Sequence, residues 1–276
     1  MTPQEGMALA REQARRLHGA LRLKSLEDID VVAIARRLGV QIVDAPLQGA
    51  LAQLVINGPS ARILLSLRLD DPLRRRAAVA HELGHYVLWH ASPTLVDPPM
   101  PHWPQKPAEQ RDIEREADAF MRELLMPHRA VEAVCRGSAP GLVLCARLAG
   151  IAQVPMEHAA ARIAESADCS CAAVLSTPAE VIWIEASARF VAEFGPSVTS
   201  IPRRSIPPYP RTSAGQLLQG AAVPPSAEVA ADAWLEIPGN PLRESSAWLV
   251  EGRTIVTMLW APLKDQRISS VDPIAS

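Results

Sequence analysis

Apolar residues recur at helical spacing over residues 5–24, where Leu9, Leu17, Leu21 and scattered alanines share one face. In the next segment, SLEDIDVVAIARRLGVQIV, Asp28 or Asp30 can cap a short helix carrying Val31, Ile34, Ala35 and Leu38, and Gly39 can end it. Residues 40–43 have strand composition, and 52–56 and 62–67, joined through Asn57, Gly58 and Pro59, read as a hairpin. Two long helices are predicted next, at about 72–89 and 109–126, separated by a loop at 97–104 too rich in proline for regular structure. In the second helix Ile113, Ala117, Phe120, Met121 and Leu124 repeat at helical spacing, and Pro127 ends it. The helical pattern resumes over about 129–135 and 142–164.

From Cys169 onward the pattern shifts to short runs of strand composition at 172–175, 181–185 and 254–260, with proline- and glycine-punctuated loops through 195–241. The predicted fold is α+β. A mainly helical domain with a small hairpin sheet occupies 1–130, a helical segment 131–167, and a smaller, mainly β unit 168–276. The helical segment reads as helix, turn at Gly150, helix. Its second helix carries only Arg162 as a cation, beside Glu157 and Glu165, which favours packing over direct DNA binding. The proline-rich run IPRRSIPPYPR reads as a connection rather than a peptide-docking motif.

With 48% hydrophobic residues in 276, the chain has enough apolar content to bury proper cores, which excludes a disordered chain. The longest apolar stretches fall short of the roughly 18–20 residues of a membrane span. Glu5, Arg11, Glu12, Arg15 and Arg16 interrupt the region where a signal peptide needs a continuous apolar core, so a cytoplasmic protein is expected. A net charge of −2 gives no global attraction to nucleic acid or anionic lipid. The four cysteines, Cys135, Cys145, Cys169 and Cys171, are too few for a disulfide scaffold, and Cys169-x-Cys171 lacks the two-residue gap of a zinc ribbon.

Residues 81–85 read His-Glu-Leu-Gly-His. Four residues apart on a helix, His81 and His85 share a face and can reach one ion. Glu82 projects about 100° away, near enough to accept a proton without being a ligand. A catalytic zinc takes a third protein ligand and keeps a position for water. The second long helix offers Glu114, Glu116, Asp118 and Glu123. Glu114 borders the apolar stripe of Ile113 and Ala117. Glu116 falls on the expected solvent side. Asp118, one turn after Glu114, is placed to orient a ligand. Tyr86, His90 and His102 are further candidates for helping at the oxyanion or the leaving amine, and spacing does not choose among them.

HELGHYVLWH followed about thirty residues later by IEREADAFMRELLMP resembles the ImmA/IrrE family of zinc-dependent peptidases, as do DIDVVAIARRLGVQIV and RRRAAVAHELGH upstream. The likeness spans about residues 10–165. It implies a zincin-like N-terminal domain with zinc, or else manganese or iron, held by His81, His85 and Glu114, and Glu82 as the base. It also implies a substrate: a helix-turn-helix repressor whose specific cleavage induces a stress-response or mobile-element operon. A non-hydrolytic, antitoxin-like interaction protein with structural zinc is the alternative, and an intact Glu82 argues against it. Some members of the family carry a C-terminal sensor resembling the GAF fold, which the unit at 168–276 resembles in position, and a sensor or a substrate-docking unit is the expectation for it. This sequence departs from the family pattern at Asp118, where Asn is usual, and at Met121-Arg122, where Ala-Ala is usual.

Overall fold

In the computed structural model, which describes residues 2–89, 108–199 and 211–262 apart from 24, 27, 236, 238 and 251, Thr2 and Glu5 cap one another reciprocally. The Thr2 hydroxyl accepts from the Glu5 amide and the Glu5 carboxylate accepts from the Thr2 amide, which starts α1 (Pro3–Leu21). Of the two candidate caps for α2 (Val31–Arg37), Asp30 takes the role, accepting from the amides of Val32 and Ala33. Gly39, at φ +75°, turns the chain into β1 (Val40–Ala45). The hairpin forms as expected, β2 (Ala52–Asn57) and β3 (Ser60–Ser66), with Gly58 at φ +57° in its turn. The sheet order is β1-β3-β2, with β1 parallel and β2 antiparallel to β3.

α3 (Pro72–Val87) lies across β2 and β3, and α4 (Ala108–Leu125) runs between α3 and α1. Small residues permit this: Ala10 and Ala14 of α1 are fully buried, as are Leu83, Phe120, Leu124 and Leu125 in the core around α4. Each large aliphatic or aromatic side chain buried there contributes on the order of 1.5–3 kcal/mol. The end of α4 is sealed by side chains, since His18 Nε2 lies 2.8 Å from the Leu124 carbonyl and Arg162 Nε donates to the Met126 carbonyl at 2.9 Å.

α5 (His128–Cys135), α6 (Leu142–Ala152) and α7 (Met156–Ser166) follow. The turn between the last two is not at Gly150, which lies inside α6. It comes at Gln153, at φ +53°, because Pro155 cannot continue a helix. Arg162, the cation of α7 first weighed for phosphate contact, points inward and is 2% exposed.

The second sheet has the order β5-β4-β8-β7-β6 and is antiparallel throughout: β4 (Cys171–Ser176), β5 (Val181–Ala186), β6 (Ala227–Val229), β7 (Leu242–Val250) and β8 (Thr254–Trp260). Its two faces serve two cores, following the alternation of a strand. Cys171, Ala173, Leu175, Val256, Met258 and Trp260 join the helical core, while Ala172, Val174, Ile255 and Leu259 pack with Phe190, Phe194 and Trp234. The latter come from α8 (Ala188–Phe194) and α10 (Ala231–Leu235), with α9 (Ser213–Leu218) between. The fold is thus mixed α+β, a helical N-terminal part followed by a sheet.

Residues 195–241 are not simply loops, since α9, β6 and α10 fall there, and β7 follows as a central strand. The polar run Glu244-Ser245-Ser246 hides β7 in the sequence. Glu244 is fully buried and accepts from the amides of Ser213 and Ala214 and from the Ser246 hydroxyl, so its polarity serves to cap α9. The proline-rich loop at 97–104, residues 201–210, His90 and His102 lie outside the described residues. All four cysteines are free thiols. Among the described residues no helix is long and apolar enough to cross a membrane.

Buried charge joins α1, α4 and α7. Glu165 of α7 accepts a hydrogen bond from Arg162 at 3.2 Å and forms ion pairs with Arg122 at 2.7 Å and Arg11 at 3.6 Å, with Glu185 of β5 also nearby. Burial alone would raise the pKa of Glu165, but the guanidinium groups of Arg122, Arg11 and Arg162 outweigh it and hold the carboxyl below its usual 4.5. A folded pKa below the unfolded one contributes stability above about pH 4.5 that is lost as the pH falls. Glu165→Gln is therefore expected to cost about 3–5 kcal/mol at pH 7. The deficit against the wild type should shrink between pH 5 and pH 3, read by urea denaturation across that range.

Candidate metal centre

Asp71 accepts from the amides of Leu73 and Arg74 and Pro72 takes the first helical position, so α3 starts cleanly and presents His81 and His85 one turn apart toward α4. The two rings meet edge to face with centroids 4.8 Å apart. Their Nε2 atoms are 3.1 Å from one another, and Glu114 Oε2 lies 3.2 Å from His81 Nε2 and 3.7 Å from His85 Nε2. Glu114 is 1% exposed. Three ligands at about 2.0–2.1 Å from a tetrahedral ion stand about 3.3 Å apart, so this triangle has the size a single metal ion requires. Two imidazoles and a carboxylate also suit zinc, manganese or iron chemically. Among the described residues no other trio of His, Cys, Asp or Glu brings its ligand atoms within 4.8 Å of one another.

The electrostatics match the geometry. Burial alone would lower the pKa of His81, but Asp118 and Glu114 outweigh it and hold it well above 6.5. Burial, reinforced by His81, lowers that of His85, which keeps its ring neutral, the form that binds metal. Burial alone would raise the pKa of Glu114, but hydrogen bonds from the two imidazoles hold the carboxyl far below its usual range. On the far side of the ring His81 Nδ1 stands 2.9 Å from Asp118 Oδ1. With its pKa raised, the His81 ring donates from Nδ1 to Asp118 and from Nε2 to Glu114, and because Asp118 keeps the proton on Nδ1, Nε2 is the nitrogen that would give up its proton to ligate an ion.

A close crossing of α3 over α4 sets these distances. A Cβ on Gly84 would stand 3.1 Å from both the Cα and the carbonyl oxygen of Ala117 and 3.2 Å from the Phe120 ring. The missing side chain of Gly84 and the small one of Ala117 let the helix axes approach until Glu114, one turn before Ala117, reaches the imidazoles.

Of the acidic candidates on α4, Glu114 joins the imidazoles and Asp118 takes the outer nitrogen of His81. Glu116 is not on the solvent face: it is half-buried, with its carboxylate packed against Gly6, because α1 covers that side of α4. Glu123 is paired with Arg15 and Arg162. Glu82 is buried in the residue next to His81, at 4% exposure. Tyr86 does not stand with these groups: its hydroxyl donates to the Leu38 carbonyl at 3.3 Å, tying α3 to the end of α2. One neighbour escaped the sequence reading. His158 of α7 is held neutral by burial and lies within the fields of Glu157, Asp118, Arg122 and His81. The spacing of His158, Arg162 and Glu165 on one face of α7 was the available signal.

Residues 35–164 match the family model described as Peptidase_M78, the IrrE N-terminal-like domain. This part of the chain is an IrrE N-terminal-like domain. A solved structure described as a Mycobacterium tuberculosis transcriptional regulator superposes with a TM-score of 0.56 at 16% sequence identity, over 91% of this chain and 86% of that one. At that identity the likeness is one of fold, and at 91% coverage it reaches well beyond residues 35–164. No curated protein matches the chain in sequence.

Within the IrrE N-terminal-like domain the helix crossing is the testable element. Gly84→Val is expected to force α3 and α4 apart at a cost of about 1–3 kcal/mol. Denaturant unfolding reads the destabilisation, and the same variant should bind zinc more weakly than the wild type because Glu114 is moved off the imidazoles.

Proposed function

We propose that this chain is a zinc-dependent endopeptidase that makes a specific cut in a helix-turn-helix transcriptional repressor, inducing a stress-response or mobile-element operon from within the cytoplasm. The observation that carries the reading is the convergence of His81, His85 and Glu114 beside a buried Glu82. The IrrE N-terminal-like domain supports the peptidase class. The fold likeness to a protein described as a transcriptional regulator supports a role in transcription.

His81 and His85 would hold the ion through Nε2 and Glu114 through a carboxylate oxygen, leaving room for substrate and water. When bound, zinc supplies a Lewis acid that polarises the scissile carbonyl and eases the deprotonation of water. Manganese or iron offers the same chemistry with these ligands. Glu82 accepts the proton of the attacking water and returns it to the leaving nitrogen, the role of a carboxylate that is near the site but not a ligand. Asp118 keeps the His81 ring in one orientation and one tautomer. A purely structural zinc site has no use for Glu82, so the glutamate separates the peptidase from an antitoxin-like interaction protein.

Purified wild-type protein is expected to hold about one equivalent of zinc. The His81→Ala, His85→Ala double variant should lose it. Glu82→Gln should retain fold and metal while losing cleavage of the repressor by a factor of about 10² or more. Cleavage by the Gln variant at the wild-type rate would remove Glu82 as the base. A wild type that binds zinc yet cuts no candidate repressor would favour the interaction protein.

A further inference from the structure

Asp118 and Arg122 sit one turn apart on α4, so they share a face. Asp118 divides its two oxygens: Oδ1 is 2.9 Å from His81 Nδ1, and Oδ2 is 3.9 Å from Arg122 Nη1. The other end of the same guanidinium, Nη2, reaches Glu165 of α7 at 2.7 Å and Glu185 of β5 at 3.9 Å. One cation thus faces three carboxylates from three elements, and its own side chain is 10% exposed. Glu165 in turn is bridged to Arg162, which pairs with Glu123 back on α4. The two positions at which the second sequence block departs from the family pattern in charge, 118 and 122, are the two ends of one interaction.

A carboxylate in place of an amide beside His81 adds a negative charge to a buried site that already holds Glu114. That charge is costly without a cation close by. Arg122 supplies the cation, and its planar fork is the donor geometry that can serve several carboxylates at once. The consequence is mechanical as well as electrostatic. Glu185 belongs to the edge strand of the C-terminal sheet, and its side chain is 36% exposed. It is therefore the half-buried outer end of a path that runs Glu185, Arg122, Asp118, His81, and burial pushes its carboxyl up to about 7.

We propose that Arg122 is a positioning residue that couples the C-terminal sheet to the metal centre by holding Asp118, and through it the His81 ring. The proposal rests on the reading of His81 as a metal ligand. A displacement of β5, or a partner that engages Glu185, draws on the guanidinium and changes how firmly Asp118 fixes the imidazole. The C-terminal sheet acts on the centre without supplying a ligand to it.

The test is zinc affinity of the full chain by competition with a chromogenic chelator, with circular dichroism to verify the fold of each variant. Arg122→Ala is expected to weaken zinc binding by about 10- to 100-fold, the usual effect of losing a partner that orients a ligand. Arg122→Lys, which keeps the charge and loses the fork, should recover part of that loss. Glu185→Gln should shift the affinity by about threefold or more. Its effect should vanish when combined with Arg122→Ala, because the path is then already cut. Glu228, an exposed carboxylate on β6 of the same sheet, provides the control, and Glu228→Gln should leave the affinity unchanged.

If Arg122→Ala does not fold, the comparison of Glu185→Gln with Glu228→Gln in the wild-type background carries the test. Zinc bound through His81 and His85 with unchanged affinity in Glu185→Gln, or with effects of Glu185→Gln and Arg122→Ala that simply add, overturns the coupling and leaves the metal centre standing. A wild type that binds no zinc overturns both.

Discussion

The close approach of α3 and α4 is the constraint on which the rest depends. Two helices separated by ordinary side chains lie about 8–10 Å apart, and a glutamate on one then reaches imidazoles on the other only through a fortunate rotamer. Gly84 against the backbone of Ala117 removes that latitude. The fully buried side chains of Leu83, Phe120 and Leu124 then hold the crossing shut on either side of the contact. The three-stranded sheet beneath α3 and α1 behind α4 keep both helices from sliding. The geometry of the centre is therefore a property of packing, and the ligand residues exploit a gap already set by smaller neighbours.

Charged groups cluster around this crossing, and most of them are buried. His81, His85, Glu114, Asp118, Arg122, Glu123, Arg162 and Glu165 all contact partners of opposite or complementary charge. Replacing such groups by apolar ones often stabilises a protein, so the network is poorly explained as a source of stability alone. What it does provide is definition. Asp118, Glu123 and Glu165 each turn their two oxygens to different partners, and Arg122 and Arg162 each bridge two elements, so a small rotation of one helix misplaces several partners at once. A site whose function depends on distances of a few tenths of an ångström gains from such a lattice.

The C-terminal sheet is not an appendage with its own separate interior. One face of β4 and β8 completes the core of the helical part, and the other is closed by α8 and α10. Glu244 shows how the second half maintains itself, since a fully buried carboxylate in the middle of a strand terminates a short helix by accepting two of its free amides. The sheet packs against α6 and α7, and it reaches α4 through the pair of Glu185 with Arg122.

Local rules were enough for much of the N-terminal part. Asp30, Gly39, Gly58 and Pro127 act within a few residues of themselves, so the short helix, the first strand, the hairpin and the end of α4 could be read from the chain. The spacing of His81 and His85 likewise carries its own geometry, because four residues are one helical turn. Glu114 was legible only as one of four acids on α4. Periodicity says which residues share a face but not which helix that face meets, and the choice was made by where Gly84 lets α3 rest. Glu116 was misread for the same reason: its solvent side exists only until α1 covers it. β7 escaped because strand patterns are read from apolar alternation, and Glu244, Ser245 and Ser246 break that alternation with polar groups whose partners lie some thirty residues away or on the next strand. The sequence by itself determined the helices, the hairpin and the pair of imidazoles, all of which rest on contacts between near neighbours. The third donor, the link through Arg122 and the sharing of one core by two parts of the chain were decided by tertiary structure, because each depends on groups far apart in sequence whose proximity is created only when the helices pack.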